Sequence, residues 1–529
     1  MKKWHVLSQG TDIIKLLLQS RGLTTKKEIK DFLHSPHPLT LMPKDVGIDK
    51  NLLQKAITRI KGAIKNKESI VVYADYDADG ITAGAIMWET LYGLGARVMP
   101  YIPHRVEEGY GLSTKGIESV RQQFDPSLII TVDHGITAKE KIAYAKKLGI
   151  DVIVTDHHVK PKSLPNCTIV HTTQLCGAGV SWFLASELGK PDVSLAAIGT
   201  IADMVPLVGP NRSIVKFGLE AINTTKRVGL EALINDAGLT KGLLKTYDVS
   251  HVLAPRLNAM GRIEHALDAL RLLCTKNTDK ANLLAQKLGL TNKERQQLTE
   301  DTVILARDLH KSQTKKKLIF IAHESFNQGV IGLVAGKLVE EFYRPTIVVA
   351  IGDGYSKASA RSVSGFNIVE TIRKCSDILV DVGGHPMAAG FTVETKHIEA
   401  LKKRLEKIAE SELDEEKLTK MLKIDVEIPL STVSIYLWEK IQEFAPFGFG
   451  NPEPVFATRN VHIEDARLVG KDGKHLKLRI DSFPAIAFNL GSFYGRLKPD
   501  KAVDIAYTID LDTWNGNNRL QLKIKDIHY

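Results

Sequence analysis

Hydrophobic and polar positions change rhythm several times along the chain. Up to about residue 65 the apolar positions fall at helical spacing: Ile13, Leu16, Leu17 and Leu18, then Leu52, Leu53, Ala56, Ile57, Ile60 and Ile64. That predicts a polar, helical N-terminal segment over 1–65. Short apolar runs follow at 70–73, 128–132 and 152–155, each leading into a helix-like stretch. Strands alternating with helices predict parallel βαβ units. Residues 212–310 read as mostly helical, with 277–310 as one long connecting helix. A second α/β region opens at Leu318, with strands at 318–322 and 346–350 and helices at 330–342, 367–377 and 398–410. The charged stretch 411–423 reads as a linker or helix end. From Ile424 the pattern is alternating short segments with turn signals such as Asp472-Gly473 and Asn515-Gly516, which predicts a small all-β barrel. The expected organisation is two α/β domains, 66–211 and 316–412, a helical connector, 212–315, and a barrel, 424–529.

Composition narrows the class. The 529 residues are 43% hydrophobic and 25% charged, near the average for folded soluble proteins. Lys and Arg total 71 against 61 Asp and Glu, a formal charge of +10, which weakly favours an anionic partner. The surplus lies upstream of the barrel, because residues 421–529 hold 14 of each sign. Cys167, Cys176, Cys274 and Cys375 show no CxxC spacing. Neither a zinc knuckle nor a disulfide framework is expected, which fits a reducing cytosol. Lys15 interrupts the first apolar stretch, so it is no signal peptide, and no apolar run approaches the roughly 20 residues that span a bilayer. Secreted, membrane and fibrous classes are set aside, and a cytoplasmic protein is expected.

The densest chemical signal is Asp75-Tyr76-Asp77-Ala78-Asp79-Gly80, directly after the run at 70–73. Three carboxylates within five residues repel one another unless a cation neutralises them. A solvated acidic turn is the bland alternative. A calcium loop of the EF-hand type also begins D-x-D-x-D-G, but it needs Glu at its twelfth position, here Ile86, and a preceding helix rather than a strand. Asp133-His134-Gly135 ends the second apolar run and Asp156-His157-His158 the third. Polar clusters at the carboxyl ends of parallel strands are where α/β sheets build sites. Asp203, in the largely apolar stretch 199–207, is a fourth candidate that needs a partner. A lone histidine is more often a core residue than a ligand, but three acidic clusters at three strand ends argue jointly for a site. Six aspartates and up to three imidazoles suffice for two divalent ions with one shared ligand, a donor set suited to Mn²⁺ and open to Mg²⁺. Two such ions can activate water against a phosphate ester.

The same residues resemble a known family. Asp75-Tyr76-Asp77-Ala78-Asp79-Gly80, Asp133, Asp156-His157-His158 and Asp203 are similar to the four motifs of the DHH phosphoesterases. Leu257-Asn258-Ala259-Met260-Gly261-Arg262 resembles the family's L-N-A-x-G-R, and Ser359-Ala360-Arg361-Ser362 its second-domain basic loop. Gly383-Gly384-His385-Pro386-Met387-Ala388-Ala389-Gly390 resembles its G-G-H-x-x-A-A-G. Phe447-Gly448-Phe449-Gly450-Asn451-Pro452-Glu453-Pro454 resembles the lead-in to its OB-fold. The order and setting of the remaining motifs resemble those of RecJ-type single-strand-specific exonucleases, along nearly the whole chain. One departure is Ala74, where the family usually has Gly; it matters only if that backbone needs a positive φ.

The resemblance implies a DHH and a DHHA1 domain, both α/β, facing a cleft, and an OB barrel. It implies a 5′→3′ exonuclease that uses two divalent ions, preferably Mn²⁺, to release 5′-mononucleotides from single-stranded DNA in repair and recombination. Asp133 would bridge the ions, Asp77 with Asp75 would serve one, and Asp79, His157 and Asp203 the other. His158 would stand beside the phosphate and Asp156 would orient the imidazoles. His385, in a Gly-Gly turn, would donate to the scissile phosphate, and Arg105, Arg262, Ser359 and Arg361 would hold phosphates, the terminal one included. In the barrel, Lys471, Lys474, His475, Lys477 and Arg479 cluster around one turn, and Phe483, Phe488, Phe493, Tyr494 and Trp514 could stack on bases or fill the core. A monomer is implied, with a helicase and a single-strand-binding protein as candidate partners and no membrane. The alternatives are a small-substrate DHH phosphoesterase, acting on oligoribonucleotides, cyclic dinucleotides or pAp, and an inactive nucleic-acid-binding scaffold. The first kind is generally shorter and lacks the barrel; the second usually loses metal ligands.

Overall fold

The structure is a computed structural model that describes residues 2–105, 107–311, 316–497, 501–512 and 519–529. The chain forms two compact units. One comprises Leu18–Asn292 and Glu439–Glu453; the other comprises Met1–Leu17, Lys293–Trp438 and Pro454–Tyr529.

The first unit is built on five parallel strands in the order Arg97–Tyr101, Ser69–Ala74, Leu128–Val132, Asp151–Asp156, Thr168–His171. Helices cover both faces, so the central strands are buried throughout and read as unbroken runs such as Ile70-Val71-Val72. The first strand in sequence lies between the second and the third. The direction of winding therefore reverses between Ser69–Ala74 and Leu128–Val132, and a crevice opens at their carboxyl ends. Asp75 and Asp133 are the next residues of those two strands. Ala74 lies in the strand, outside the positive-φ positions, and its methyl faces Gly84, where an added Cβ would come within 2.9 Å. The departure at Ala74 is accommodated by the lack of a side chain across from it.

The lead-in motif up to Glu453 belongs to this unit. Asn451 is fully buried; its Nδ2 donates to the carbonyls of Phe444 (2.9 Å) and Pro446 (3.0 Å), and its Oδ1 accepts from Arg21 Nε at 2.9 Å. Arg212, also buried, donates to the carbonyls of Phe32, Phe444 and Ala445 at 2.7–2.8 Å. The Leu207 N–H, four residues beyond Asp203, donates to the Phe449 carbonyl at 2.7 Å.

In the second unit a five-stranded sheet has the order Leu379–His385, Ala388–Glu394, Tyr355–Arg361, Thr346–Ala350, Ile319–His323, with only the last pair parallel. The pleat sends Ile319, Ile321 and Val348 against Val334 and Leu338 of the helix Ile331–Phe342. It sends Phe320, Ile347 and Val349 to the other face, with Leu401 and Leu405 of the helix Ile398–Glu412. The barrel strands are Phe456–Val469, His475–Ile480, Phe483–Ala487, Arg519–His528 and Ala502–Asp512, and pairing of the last with the first closes the ring. The predicted connecting helix is one element, Thr278–His310.

Three expectations need correction. The N-terminal segment is not wholly helical, because Lys3–Val6 is a strand paired in parallel with Met421–Ile424. Its cause is tertiary: Trp4 stacks on His528 at 4.1 Å and donates from Nε1 to Asp526 Oδ2 at 2.8 Å. Ser359 and Arg361 sit on a strand rather than a loop, and His385 ends a strand rather than standing in a turn. Of the barrel aromatics, Phe488 and Tyr494 are exposed, and Phe483 and Phe493 are half-buried. Trp514 and the Asn515-Gly516 turn lie outside the described residues. Among the described residues no helix is long and apolar enough to cross a membrane.

Candidate metal centre

The acidic loop is short because the helix Ala78–Gly93 starts at once. Asp77 is its N-cap, with Oδ1 accepting from Gly80 N at 3.0 Å, so capping aims this carboxylate back over the strand end. Asn258, on the helix Ala254–Ile263, accepts from Ala78 N at 2.7 Å, and a Cβ at Gly261 would meet the Tyr76 carbonyl at 2.4 Å. That helix therefore fixes the loop from outside. Asp133 takes a left-handed φ of 68° and is 2% exposed. A non-glycine residue in that region carries strain, which surrounding structure must sustain.

Three sets of side chains present ligand atoms within 4.8 Å of one another: Asp75, Asp77 and Asp133; Asp133, His157 and His158; and Asp79, His157 and Asp203. Asp133 and His157 each belong to two sets, so the three form one continuous centre. His157 Nε2 lies 3.2 Å from Asp133 Oδ1 and 3.7 Å from Asp203 Oδ2.

The electrostatics fit a cation. Asp75 Oδ1 and Asp133 Oδ1 are buried and accept no hydrogen bond, which is costly for a carboxylate without a counter-charge. Burial and then the neighbouring carboxylates push Asp75, Asp77 and Asp133 above the usual carboxylate range. The same two causes raise Asp203 to about 8. Burial lowers His157, which favours the neutral imidazole a metal requires. Carboxylates and imidazole suit Mn²⁺ and Mg²⁺, so the residues present fit the ions the resemblance implies.

Asp156 behaves differently. Burial works to raise it, but its Oδ1 accepts from His158 Nδ1 (2.8 Å) and from the N–H groups of His157 (2.7 Å) and His158 (3.0 Å), and its Oδ2 from Ile136 N (2.8 Å). These donors win, and Asp156 titrates below the usual range. Burial alone would lower His158, but the Asp156 hydrogen bond and charge raise it. Its Nε2 is left facing the Tyr110 hydroxyl at 3.2 Å.

Arg105 lies over the Tyr76 ring at 5.0 Å, beside the acidic loop, and Arg262 is in the last turn of the Ala254–Ile263 helix. Ser359, Arg361 and His385 form a separate group in the other unit. Arg361 is opposite Ala388 on one side and His385 is opposite Ala388 on the other, so three adjacent strands bring them to one end of the sheet. Arg361 donates to Ser359 Oγ (3.2 Å) and the Ala360 carbonyl (2.9 Å), and among the described residues no carboxylate pairs with it. Sequence reasoning missed Asn258, although the motif containing it was visible, and it missed Tyr110, which carries no acidic or basic signal.

Models of three families match the chain: the DHH family N-terminal domain over 69–205, the DHHA1 domain over 315–411 and the RecJ OB domain over 424–526. The single-stranded-DNA-specific exonuclease RecJ of Bacillus subtilis (strain 168) is 38% identical, over 98% of this chain and 68% of that protein. The crystal structure of RecJ from Thermus thermophilus in complex with Mn²⁺ matches with a TM-score of 0.86 and 31% identity, over 100% of this chain and 79% of that one. The same protein's structure in complex with Mg²⁺ matches with a TM-score of 0.80 and 29% identity, over 100% and 78%. With three consecutive family domains and this identity along its length, the chain belongs to the RecJ family.

Proposed function

We propose that the chain is a metal-dependent exonuclease of single-stranded DNA, working 5′→3′, releasing 5′-mononucleotides and serving DNA repair and recombination. The observation that carries this reading is the buried acidic centre joined through Asp133 and His157 at the sheet's switch point. Asp75 and Asp77 would hold one divalent ion, Asp79, His157 and Asp203 the second, and Asp133 both. When bound, the ions would supply a water of lowered pKa and stabilise the leaving oxygen. Asp156 holds His158 through Nδ1, so Nε2 is the atom that gives a proton or hydrogen bond to a phosphate oxygen. His385 is the second such donor. Arg105 and Arg262 bind phosphates near the acidic loop, and Ser359 with Arg361 takes the terminal phosphate. The guanidinium of Arg361, which pairs with no carboxylate among the described residues, supports this role, because a fork of donors matches a phosphate face. We assign catalysis to 66–211, terminal-phosphate binding to 316–412 and grip on the strand to 424–529. A monomer in the cytoplasm, taking strands opened by a helicase and covered by a single-strand-binding protein, fits this chemistry.

The test is digestion of an internally labelled, 5′-phosphorylated single strand with Mn²⁺. Shortening from the 5′ end with mononucleotide release is expected, with none in EDTA and none on blunt duplex. Cleavage of a dinucleotide alone would replace this reading with a small-substrate phosphodiesterase. Arg361→Ala is expected to erode the preference for a phosphorylated over a hydroxyl 5′ end by about tenfold, the loss of one charge-assisted contact. An unchanged rate ratio would remove Arg361 from the polarity pocket.

A further inference from the structure

We infer that Gly177, in the first turn of the helix Gly177–Ser186, is a positioning residue that sets the two halves of the metal centre against each other. The inference rests on the proposed roles of Asp133 and Asp79 as ligands. Cys176 caps this helix, its Sγ accepting from Gly179 N at 3.3 Å. The turn then donates Gly177 N to Asp79 Oδ2 at 2.7 Å and Ala178 N to Asp79 Oδ1 at 2.8 Å, so both oxygens of one carboxylate are held by consecutive backbone groups. The other side of the same residue faces Asp133. A Cβ at position 177 would lie 2.4 Å from both the Cβ and Oδ1 of Asp133 and 2.5 Å from its Cγ.

Neither neighbour can withdraw. Asp133 is buried, its backbone is left-handed and its N–H donates to the Thr155 carbonyl at 3.0 Å. Behind the turn stands the helix Val193–Ala202, where a Cβ at Gly199 would come within 2.4 Å of Ala178 Cβ and 2.6 Å of Asp79 Oδ1. The turn is therefore wedged between two aspartates of different ligand sets, and backbone atoms fix their separation. Alanine is ordinarily the better helix former; here its methyl would occupy the space of the carboxylate shared by two sets.

Mn²⁺ titration of the full chain, followed by the loss of the free-ion electron paramagnetic resonance signal, tests this together with kcat and KM on a 5′-phosphorylated strand. Gly177→Ala is expected to weaken Mn²⁺ binding and lower kcat by about 10–100-fold, the usual cost of disturbing a ligand's support, with KM changed less than threefold. Wild-type chain that binds Mn²⁺ beside a Gly177→Ala variant that binds it equally well would overturn the inference and leave the proposed function standing. Wild-type chain that binds none would sink the proposed function instead. A second comparison guards against misfolding. In an Asp133→Gly background, whose left-handed backbone accepts glycine, adding Gly177→Ala should leave Tm unchanged or raise it. If it lowers Tm there as much as in wild type, Gly177 serves helix packing alone and the inference fails.

Discussion

Asp133→Ala is expected to lower turnover on single-stranded DNA by about a thousandfold or more, roughly 4 kcal/mol in the barrier. The size follows from position. Asp133 is the carboxylate common to two of the three ligand sets, it projects from the switch point of the sheet, and its Oδ1 accepts no hydrogen bond among the described residues. Its loss would remove charge from both halves of the centre at once, whereas Asp75, Asp77, Asp79 and Asp203 each belong to one set. The variant should still fold. It gives up a buried carboxylate whose charged form is disfavoured by burial and by four neighbouring aspartates. Against that gain stands only the poorer tolerance of alanine than aspartate for a φ of 68°, less than the roughly 1–2 kcal/mol that the left-handed region costs an L-residue outright. Single-turnover digestion with saturating Mn²⁺, beside a circular-dichroism melt, measures both effects. Retention of more than a tenth of wild-type turnover in a folded variant would exclude Asp133 as the shared ligand.

Much of this centre was legible because the strands of a parallel sheet are buried on both faces. The runs ending at Tyr73, Val132 and Thr155 stand out as buried, largely β-branched stretches, and each is followed within two residues by an aspartate. The strand Arg97–Tyr101 did not stand out, because it is the sheet's edge and alternates exposed and buried residues over only five positions. In the second unit, Tyr355–Arg361 and Ala388–Glu394 are rich in small and polar residues, and their strand character comes from pairing across the sheet. Lys3–Val6 was illegible for a different reason: its partner, Met421–Ile424, is more than 400 positions away, beyond any local window. The site shows the same division. Charged ligands announce themselves by residue type. Asn258 and Gly177 act through one amide contact and one missing methyl, and such roles appear only when the backbone is in place.

Metal-free chain should lose stability as pH rises from about 6.5 to 8.5, and a saturating divalent cation should abolish that loss. Asp203 carries the sign. Its folded-state pKa is raised from 3.8 to about 8 by burial and by Asp79 and Asp77. An acid whose pKa rises on folding stabilises the fold fully below its unfolded value, and that contribution disappears as pH climbs through the folded value. Asp75, Asp77 and Asp133 shift the same way. His158, raised on folding, adds stability that is likewise lost as pH rises. His134, lowered to about 4, and His157, also lowered, act oppositely, but their effect is spent once pH exceeds the ordinary histidine value of 6.5. The window above 6.5 therefore reads the acidic centre together with His158, both of which lose stability in the same direction. With one proton released, the slope is about 1.4 kcal/mol per pH unit, so Asp203 alone removes at most about 2 kcal/mol between pH 6.5 and 8. Thermal melts in EDTA and in Mg²⁺, which stays soluble at the alkaline end, should diverge by several degrees across the window, with the cation's stabilisation growing as pH rises. Parallel curves would mean that these carboxylates are not the cation's ligands, because a cation that holds them in their charged form must cancel the cost of ionising them.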